Sequence, residues 1–160
     1  QADRAMISIL KRMGAKPHSR EEGLVFTLAR LSGTQIDLRE TPDLLPVLAA
    51  LAACAEGETH FTNAGRLRFK ESDRIAASMK LIRALGGEAE ERMDGLVVYG
   101  KKLTGGTVES CNDHRIVMAA TVAAVGCESE VVIKGAEAIQ KSYPSFFEDF
   151  KQIGGEADVV

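Results

Sequence analysis

Three short stretches of this chain combine cations and carboxylates in a way that suits anion binding and proton transfer. Residues 66–74 read Arg-Leu-Arg-Phe-Lys-Glu-Ser-Asp-Arg, and residues 112–115 read Asn-Asp-His-Arg. Lys141 adds a further cation, and Asp43 lies 70 residues before Asp113. Arginine binds carboxylates and phosphates through a planar pair of donors, and a carboxylate in a cationic setting suits general acid–base work. The pattern favours a proton-transfer reaction on a pair of doubly anionic substrates.

A repeat of about 70 residues determines where these groups lie. Gly14, Gly86 and Gly154 each follow a helical turn that carries a basic or amide side chain, as is typical of a helix C-terminus. Their spacings of 72 and 68 residues indicate one supersecondary unit that is used again. We therefore predict an α/β (α+β) fold of repeated units with buried helices.

The elements of each copy can be predicted in order. The second copy has a helix, three strands, a helix and a strand, at residues 72–85, 89–92, 96–99, 107–111, 114–125 and 130–134. A hairpin turn at Asp94-Gly95 joins the first two of these strands. The first copy is predicted at residues 3–13, 24–28, 34–38, 43–55 and 59–62. The third copy begins with a helix over 143–153, and residues 156–160 are strand-like.

The second helix of each copy is apolar nearly all round and is expected to be buried, whereas the first is amphipathic and is expected at the surface. Equivalent helix ends point the same way in a repeat fold. Asp43, Asp113, Lys141 and residues 70–74 are therefore expected to gather at one end of the domain. Helix N-termini there favour anions.

The same residues also fit ordinary structural roles, and the sequence leaves that alternative open. Asp43 and Asp113 could be N-caps, worth about 1 kcal/mol each. Glu71 could simply complement a helix dipole, and Arg74 and Arg115 could be surface arginines. Their joint placement at successive unit ends favours a single site over independent coincidences.

Composition narrows the class of protein. A net charge of −3 and a pI near 5.7 argue against a general nucleic-acid surface. Three cysteines without a C-x-x-C pair fit a reduced cytoplasmic setting. We find neither an apolar run of about 18 residues, as a membrane span requires, nor a signal peptide. Because the chain opens on Gln1 and directly into a helix, we interpret it as a piece of a longer protein.

At these motifs the chain resembles the 5-enolpyruvylshikimate-3-phosphate synthase family (3-phosphoshikimate 1-carboxyvinyltransferases). Residues 66–75 and 112–119 resemble its two signatures, residues 141–147 resemble its C-terminal Lys-Thr/Ser-Tyr/Phe-Pro stretch, and residues 42–46 fit the preceding aspartate segment. The resemblance implies two domains of three βαβαββ units each. Residues 1–160 would then form part of one domain, with about two units and the start of a third, and the partner domain would be missing.

The resemblance also implies a reaction. Family members transfer the enolpyruvyl group of phosphoenolpyruvate to the 5-hydroxyl of shikimate 3-phosphate and release phosphate, by addition and elimination without a metal or organic cofactor. This step belongs to the shikimate pathway, which leads to chorismate and the aromatic amino acids, and it is the target of glyphosate. The family enzymes are mostly cytoplasmic monomers. The fragment alone is expected to bind ligand weakly and to be inactive.

Roles carry over to matching positions as implications of the resemblance. Asp43 would take the hydroxyl proton and hold the shikimate ring. Glu71 would give a proton to the phosphoenolpyruvate methylene carbon and later recover it. Lys70 would contact shikimate 3-phosphate.

Three cations, Arg74, Arg115 and Lys141, would bind the phosphate and carboxylate of phosphoenolpyruvate. His114 and Arg66 would lie beside the site without an assigned role.

Other functions remain open at this point. A UDP-N-acetylglucosamine enolpyruvyl transferase shares the expected fold and chemistry but typically lacks the two charged runs. A non-catalytic repeat module that binds anionic metabolites would tolerate neutral substitutions at Asp43 and Glu71. RNA-end processing is disfavoured by the acidic pI and by few aromatic residues for base stacking.

Overall fold

The computed structural model describes residues 4–21, 23–27 and 30–158. Within these ranges the α-helices are α1 Ala5–Arg12, α2 Leu45–Ala53, α3 Arg74–Ala84, α4 His114–Ala124 and α5 Phe146–Gln152. The β-strands are β1 Pro17–Arg20, β2 Gly23–Phe26, β3 Gln35–Asp37, β4 Glu58–Thr62, β5 Glu88–Arg92, β6 Gly95–Tyr99, β7 Gly106–Glu109 and β8 Val131–Lys134. Three 3-10 helices, Pro42–Leu44, Gly65–Phe69 and Ala136–Lys141, lie between them.

The strand pairing confirms the repeat. Helix α2 connects the parallel strands β3 and β4, and α4 connects the parallel strands β7 and β8 in the same way. The antiparallel hairpin β5–β6 joins the first pair to form a sheet of order β3-β4-β6-β5. Strands β1 and β2 form a separate antiparallel hairpin. The α/β class follows from these two crossover units and the helices packed on them.

The three glycines that define the sequence repeat adopt one conformation. Gly14, Gly86 and Gly154 have φ values of +101°, +83° and +96°, in the left-handed region that glycine adopts without a steric penalty. Each follows the end of an amphipathic helix, α1, α3 or α5. The predicted helix C-caps are therefore confirmed.

Helix α2 lies at the centre of the core and packs against α3 and α4. Its residues Leu45 and Leu48 are fully buried, as predicted for the second helix of a unit. Helix α3 buries Ile75 and Ile82 and leaves Lys80 in solvent. It is therefore amphipathic as predicted.

Helix α4 differs from the prediction that it is buried all round. Its C-cap residue Val125 is 74% exposed. Val122 and Val125 line an apolar groove of about 1030 Å³ together with Phe146 and Phe150. The apolar sequence of α4 thus marks two faces, one in the core and one in this groove.

Several element boundaries also differ from the predictions. Strand β1 was missed because Pro17–Arg20 lacks apolar alternation. The helix predicted from Asp43 begins as a 3-10 turn and becomes α-helical only at Leu45. Helix α5 begins at Phe146 rather than at residue 143, after a turn around Pro144.

Three further boundaries concern the turns and the chain ends. The β5–β6 turn is made by residues 93 and 94, one residue before the predicted position. Residues 156–158 lie outside any strand. Residues 3, 28, 159 and 160 of the predicted elements lie outside the described residues.

Within the described part of the chain, every helix is too short or too polar to cross a membrane.

Candidate active site

Arg74 is the centre of the charged cluster that the sequence predicts. It is the first residue of α3, and only 1% of its side chain is exposed. Its Nε donates to Asp113 at 2.8 Å, its Nη1 to Asp43 at 2.7 Å, and its Nη2 to Glu71 at 2.7 Å. A second Nη2 contact reaches the other Asp113 oxygen at 3.2 Å. One buried guanidinium therefore joins carboxylates from three segments of the chain.

Asp113 is completely buried and serves both as a helix cap and as a partner of Arg74. Its carboxylate accepts the Arg115 backbone N–H at 2.9 Å and the Ser72 hydroxyl at 2.9 Å. Burial by itself would raise the pKa of Asp113. The hydrogen bonds from Arg74, Arg115 and Ser72 outweigh that effect and hold the pKa below its usual value. Asp113 therefore anchors Arg74 as an ionised partner.

Asp43 lies within reach of three cations. Besides Arg74, the Lys70 ammonium lies 3.4 Å from its Oδ1, and Arg115 Nη2 lies 3.6 Å from its Oδ2. Arg115 Nη1 also donates to the Asp43 backbone carbonyl at 3.3 Å. Asp43 is not the N-cap that the structural alternative suggested, because it lies inside the 3-10 turn Pro42–Leu44 and N-caps no described helix. It is free to face the cluster instead.

Glu71 is the most exposed acid of the cluster, with 43% of its side chain in solvent. Its one described side-chain hydrogen bond is the contact with Arg74. Asp43 and Glu71 thus flank the two terminal nitrogens of one guanidinium. Two acids held side by side in this way can act on neighbouring atoms of a bound substrate.

Lys141 reaches the cluster through the turn before α4. Its ammonium donates to the Asn112 carbonyl at 2.6 Å, one residue before Asp113. Cys111 and Asn112 have φ values of +54° and +57°, and the Ser110 hydroxyl accepts the Asn112 N–H at 3.2 Å. This left-handed turn points the carbonyl at Lys141, which lies at the end of its 3-10 helix rather than at the start of α5.

His114 and Arg66 lie at the edge of the cluster. His114 is the first residue of α4, and its buried Nδ1 has no hydrogen-bond partner among the described residues. Arg66 is exposed, and its guanidinium donates to the Arg39 carbonyl, away from Arg74. The geometry brings neither side chain into the Arg74 network.

The sequence predicts that Asp113 and Ser72 lie at this end of the domain, but neither was assigned a role in the site. Asp113 also fitted an N-cap, and its repeat equivalence to Asp43 was the signal that it faces the same end of the domain. Ser72 gave no signal by itself, since a serine at a helix start is common.

Together the cluster holds the cations Lys70, Arg74, Arg115 and Lys141 and three carboxylates, which leaves about one positive charge for a ligand.

The arrangement favours anions over metals. Among the described residues, no group of three or more His, Cys, Asp or Glu side chains is placed to hold a metal ion. The acids of the cluster are instead bound by arginine and lysine.

The sequence model of the family described as EPSP synthase (3-phosphoshikimate 1-carboxyvinyltransferase) matches residues 1–150. The chain belongs to the EPSP synthase family. This confirms the resemblance that the charged motifs suggested.

Relatives within the family are similar to the chain over nearly its whole length. The 3-phosphoshikimate 1-carboxyvinyltransferase of Clostridium kluyveri is 45% identical over 159 residues, which are 99% of this chain and 37% of that protein. The protein of the same name from Methanocella arvoryzae is 45% identical over 161 residues, with coverages of 99% and 38%. The chain thus spans well under half the length of these EPSP synthase relatives.

Solved structures show the same fold. An EPSP synthase from Acinetobacter baumannii superposes with a TM-score of 0.81 at 30% identity, over 92% of this chain and 38% of that chain. The enolpyruvyl transferase NikO from Streptomyces tendae superposes with a TM-score of 0.77 at 21% identity, over 96% and 35% of the two chains. At that identity the likeness to NikO concerns the fold alone. The enolpyruvyl transferase-like fold predicted for the chain is confirmed.

Proposed function

We propose that this chain supplies one half of an active site that transfers the enolpyruvyl group of phosphoenolpyruvate to the 5-hydroxyl of shikimate 3-phosphate, with release of phosphate. The observation that carries the proposal is the convergence of both family signatures on the buried guanidinium of Arg74. The names of the relatives, 3-phosphoshikimate 1-carboxyvinyltransferase, support the same substrate. The full-length protein would act in the shikimate pathway towards chorismate and the aromatic amino acids.

The two exposed acids divide the proton transfers of this reaction. Asp43 takes the proton of the attacking hydroxyl while that oxygen bonds to the central carbon of phosphoenolpyruvate. Glu71 gives a proton to the methylene carbon, which becomes a methyl group. In the elimination step the methyl group returns a proton to Glu71, the double bond reforms and phosphate leaves. No metal or organic cofactor takes part in this scheme.

The ion pair between Glu71 and Arg74 supports a simple account of substrate entry. Four of the five Arg74 N–H donors are already bound to described carboxylates. An incoming carboxylate or phosphate therefore replaces an internal partner, and Glu71 is the most exposed of the three. When the substrate anion displaces Glu71, it takes the place of Glu71 on the Arg74 guanidinium. The Glu71 side chain is then free beside the methylene carbon of phosphoenolpyruvate.

The other cations complete the binding site in this proposal. Arg115 and Lys141 hold the phosphate and carboxylate of phosphoenolpyruvate with Arg74. Lys70, next to Asp43, contacts shikimate 3-phosphate. We also propose that the full-length protein is a cytoplasmic monomer, as the family resemblance implies.

The test is phosphate release by the full-length protein with phosphoenolpyruvate and either shikimate 3-phosphate or UDP-N-acetylglucosamine. We expect turnover with shikimate 3-phosphate alone. Removing one acid should lower kcat about 10²- to 10⁴-fold in Asp43→Asn and in Glu71→Gln. The matched control is Glu90→Gln, which alters an exposed acid paired with Arg92 and should leave kcat unchanged.

Two outcomes would reject the proposal. Turnover with UDP-N-acetylglucosamine alone would assign the chain to the other enolpyruvyl transfer. If the wild-type protein binds its ligands but shows no turnover, it is a non-catalytic module that binds anions.

A further inference from the structure

Arg68 forms a dense set of contacts just outside the cluster around Arg74. Its Nη1 donates to Asp73 at 2.8 Å and to Glu91 at 2.6 Å. Its Nε donates to the Met93 carbonyl at 3.1 Å, and its Nη2 to the Arg92 carbonyl at 2.7 Å. With 24% of the side chain exposed, this is a half-buried guanidinium with partners on every nitrogen.

These contacts join the loop before α3 to the turn of the β5–β6 hairpin. The hairpin is held in place by the main sheet, because β6 lies between β4 and β5. Asp94 in the same turn accepts the Gly65 N–H at 2.6 Å through its side chain and the Ala64 N–H at 3.1 Å through its carbonyl. Both ends of the 3-10 helix Gly65–Phe69 are thus fixed to the hairpin.

The ion pair between Arg68 and Asp73 also closes a short loop that carries two proposed site residues. Lys70 and Glu71 lie between the 3-10 helix and α3, outside helices and strands. The backbone N–H groups of residues 70–72 make no hydrogen bond to any described residue. The loop backbone is therefore held at its two ends, while the Ser72 hydroxyl also ties the loop to Asp113 at 2.9 Å.

Asp73 links this loop to the helix that begins at Arg74. One Asp73 oxygen accepts the Ala76 N–H at 3.1 Å as the N-cap of α3, and the other oxygen binds Arg68. Arg68 therefore fixes the orientation of the cap. Any shift of the cap moves Glu71 relative to Arg74, three residues apart on the same chain.

We propose that Arg68 is a positioning residue that holds Glu71 in register with Arg74 by clamping the loop to the β5–β6 hairpin. Arg68 does not touch substrate, and it acts through Asp73 and the loop. The proposal rests on the proposed function, in which Glu71 transfers the proton. A lysine at this position keeps the charge but loses the planar fork that reaches four partners at once.

The test compares Arg68→Lys with Arg92→Lys in the full-length protein. Arg92 forms an exposed ion pair with Glu90 on the same hairpin and is the matched control. We expect Arg68→Lys to lower kcat about 10- to 100-fold, since a misplacement near 1 Å has effects of this size. The KM for phosphoenolpyruvate should change less than about threefold, because the binding cations remain. Arg92→Lys should leave kcat unchanged.

A double-mutant cycle separates positioning from general structural support. If Arg68 acts through Glu71, then Arg68→Lys should change single-turnover phosphate release less than about threefold in the Glu71→Gln background. An equal loss in both backgrounds, or no loss in either, would overturn the proposal.

A second readout does not depend on turnover. Amide hydrogen exchange at Ala76 should be at least about tenfold faster in Arg68→Lys than in wild type, and unchanged in Arg92→Lys. This result would support the clamp even if the full-length protein released no phosphate, whereas unchanged exchange would overturn it. If Arg68→Lys does not fold, Glu91→Gln removes one partner and should give the same effects at smaller size.

Discussion

The three carboxylates around Arg74 differ in how permanently they are bound. Asp113 is fully buried and shares two contacts with the guanidinium, whereas 36% of the Asp43 side chain and 43% of the Glu71 side chain are exposed. A buried, hydrogen-bonded pair resists exchange, because separating it would leave an unpaired charge in the interior. Asp113 is therefore the structural partner, and in the proposed reaction Glu71 and Asp43 are the acids that react.

Asp113→Asn should lower the free energy of unfolding by about 3 kcal/mol at pH 7, because Arg74 loses its buried counter-charge. The pKa of Asp113 is lowered in the folded state from its ordinary value of 3.8. Its contribution is then fully present above that value and is lost as the pH falls through the folded-state pKa. Urea unfolding of the chain should show the difference between wild type and variant shrinking below about pH 4. If wild type and Asp113→Asn differed in stability as much below about pH 4 as at pH 7, this account would be contradicted. The control Glu90→Gln should change the free energy of unfolding little at either pH.

At the residue scale, the sequence predicted which charged residues lie close together but not which of them form ion pairs. The shared position of Asp43 and Asp113 in successive units placed both at one end of the domain, as found. Residue types alone could not indicate that Arg74, rather than Arg115, would be buried between them. That depends on the depth at which α3 enters the core, which is a property of tertiary packing.

The repeated elements explain why cations from distant segments converge. Lys70 follows the 3-10 helix Gly65–Phe69, and Lys141 ends the equivalent 3-10 helix Ala136–Lys141. A residue in the left-handed region comes shortly before each of these 3-10 helices. Gly135, with a φ of +71°, directly precedes Ala136–Lys141, and Asn63, with a φ of +56°, lies two residues before Gly65. Two copies of one loop geometry thus deliver two lysines to the same end of the domain.

The predicted helix caps can be tested by comparing two equivalent glycines. Gly154→Ala should lower the free energy of unfolding by about 1 kcal/mol, because alanine is strained at positive φ and nothing else lies near the new Cβ. Gly86→Ala should cost about 1 kcal/mol more, since its Cβ would overlap the Thr104 side chain. Urea unfolding of the two variants checks this order. Equal losses would mean that Thr104 moves aside freely.

The long periodic helices and the β5–β6 hairpin were predictable, but the short elements were not. A 3-10 helix of five residues such as Gly65–Phe69 shows no usable periodicity. Strand β1 is exposed over most of its length and forms a hairpin with β2 alone among the described strands, so its sequence carries no alternation. Contacts across the fold, rather than local patterns, determine these segments.

At the scale of the whole molecule, the proposed function makes the cluster one half of a site. The chain spans 37% of the length of its Clostridium kluyveri relative. The cations and carboxylates of the cluster leave about one positive charge, which is too little to neutralise the two substrates of the proposed reaction, since each carries a phosphate. The remaining contacts are expected from the rest of the protein.

The 160-residue chain alone should therefore bind phosphoenolpyruvate more weakly than the full-length protein and release no phosphate with shikimate 3-phosphate. Amide chemical shifts on titration with phosphoenolpyruvate would report the binding, with movements at Glu71, Arg74, Arg115 and Lys141. The Arg92→Lys chain is the control and should show the same movements. Turnover by the isolated chain at the rate of the full-length protein would contradict the half-site account.

The most direct test of the account is deuterium incorporation into phosphoenolpyruvate during incomplete turnover in deuterated water. Full-length wild-type protein with shikimate 3-phosphate should place deuterium in the methylene group of the recovered phosphoenolpyruvate. When the addition step reverses, the new carbon–oxygen bond breaks and the rotating methyl group returns one of its hydrogens to Glu71, so the deuteron that Glu71 had delivered can stay behind. Glu71→Gln should place none, while Glu90→Gln should match wild type. Incorporation by Glu71→Gln at the wild-type rate would contradict the role assigned to Glu71 beside Arg74.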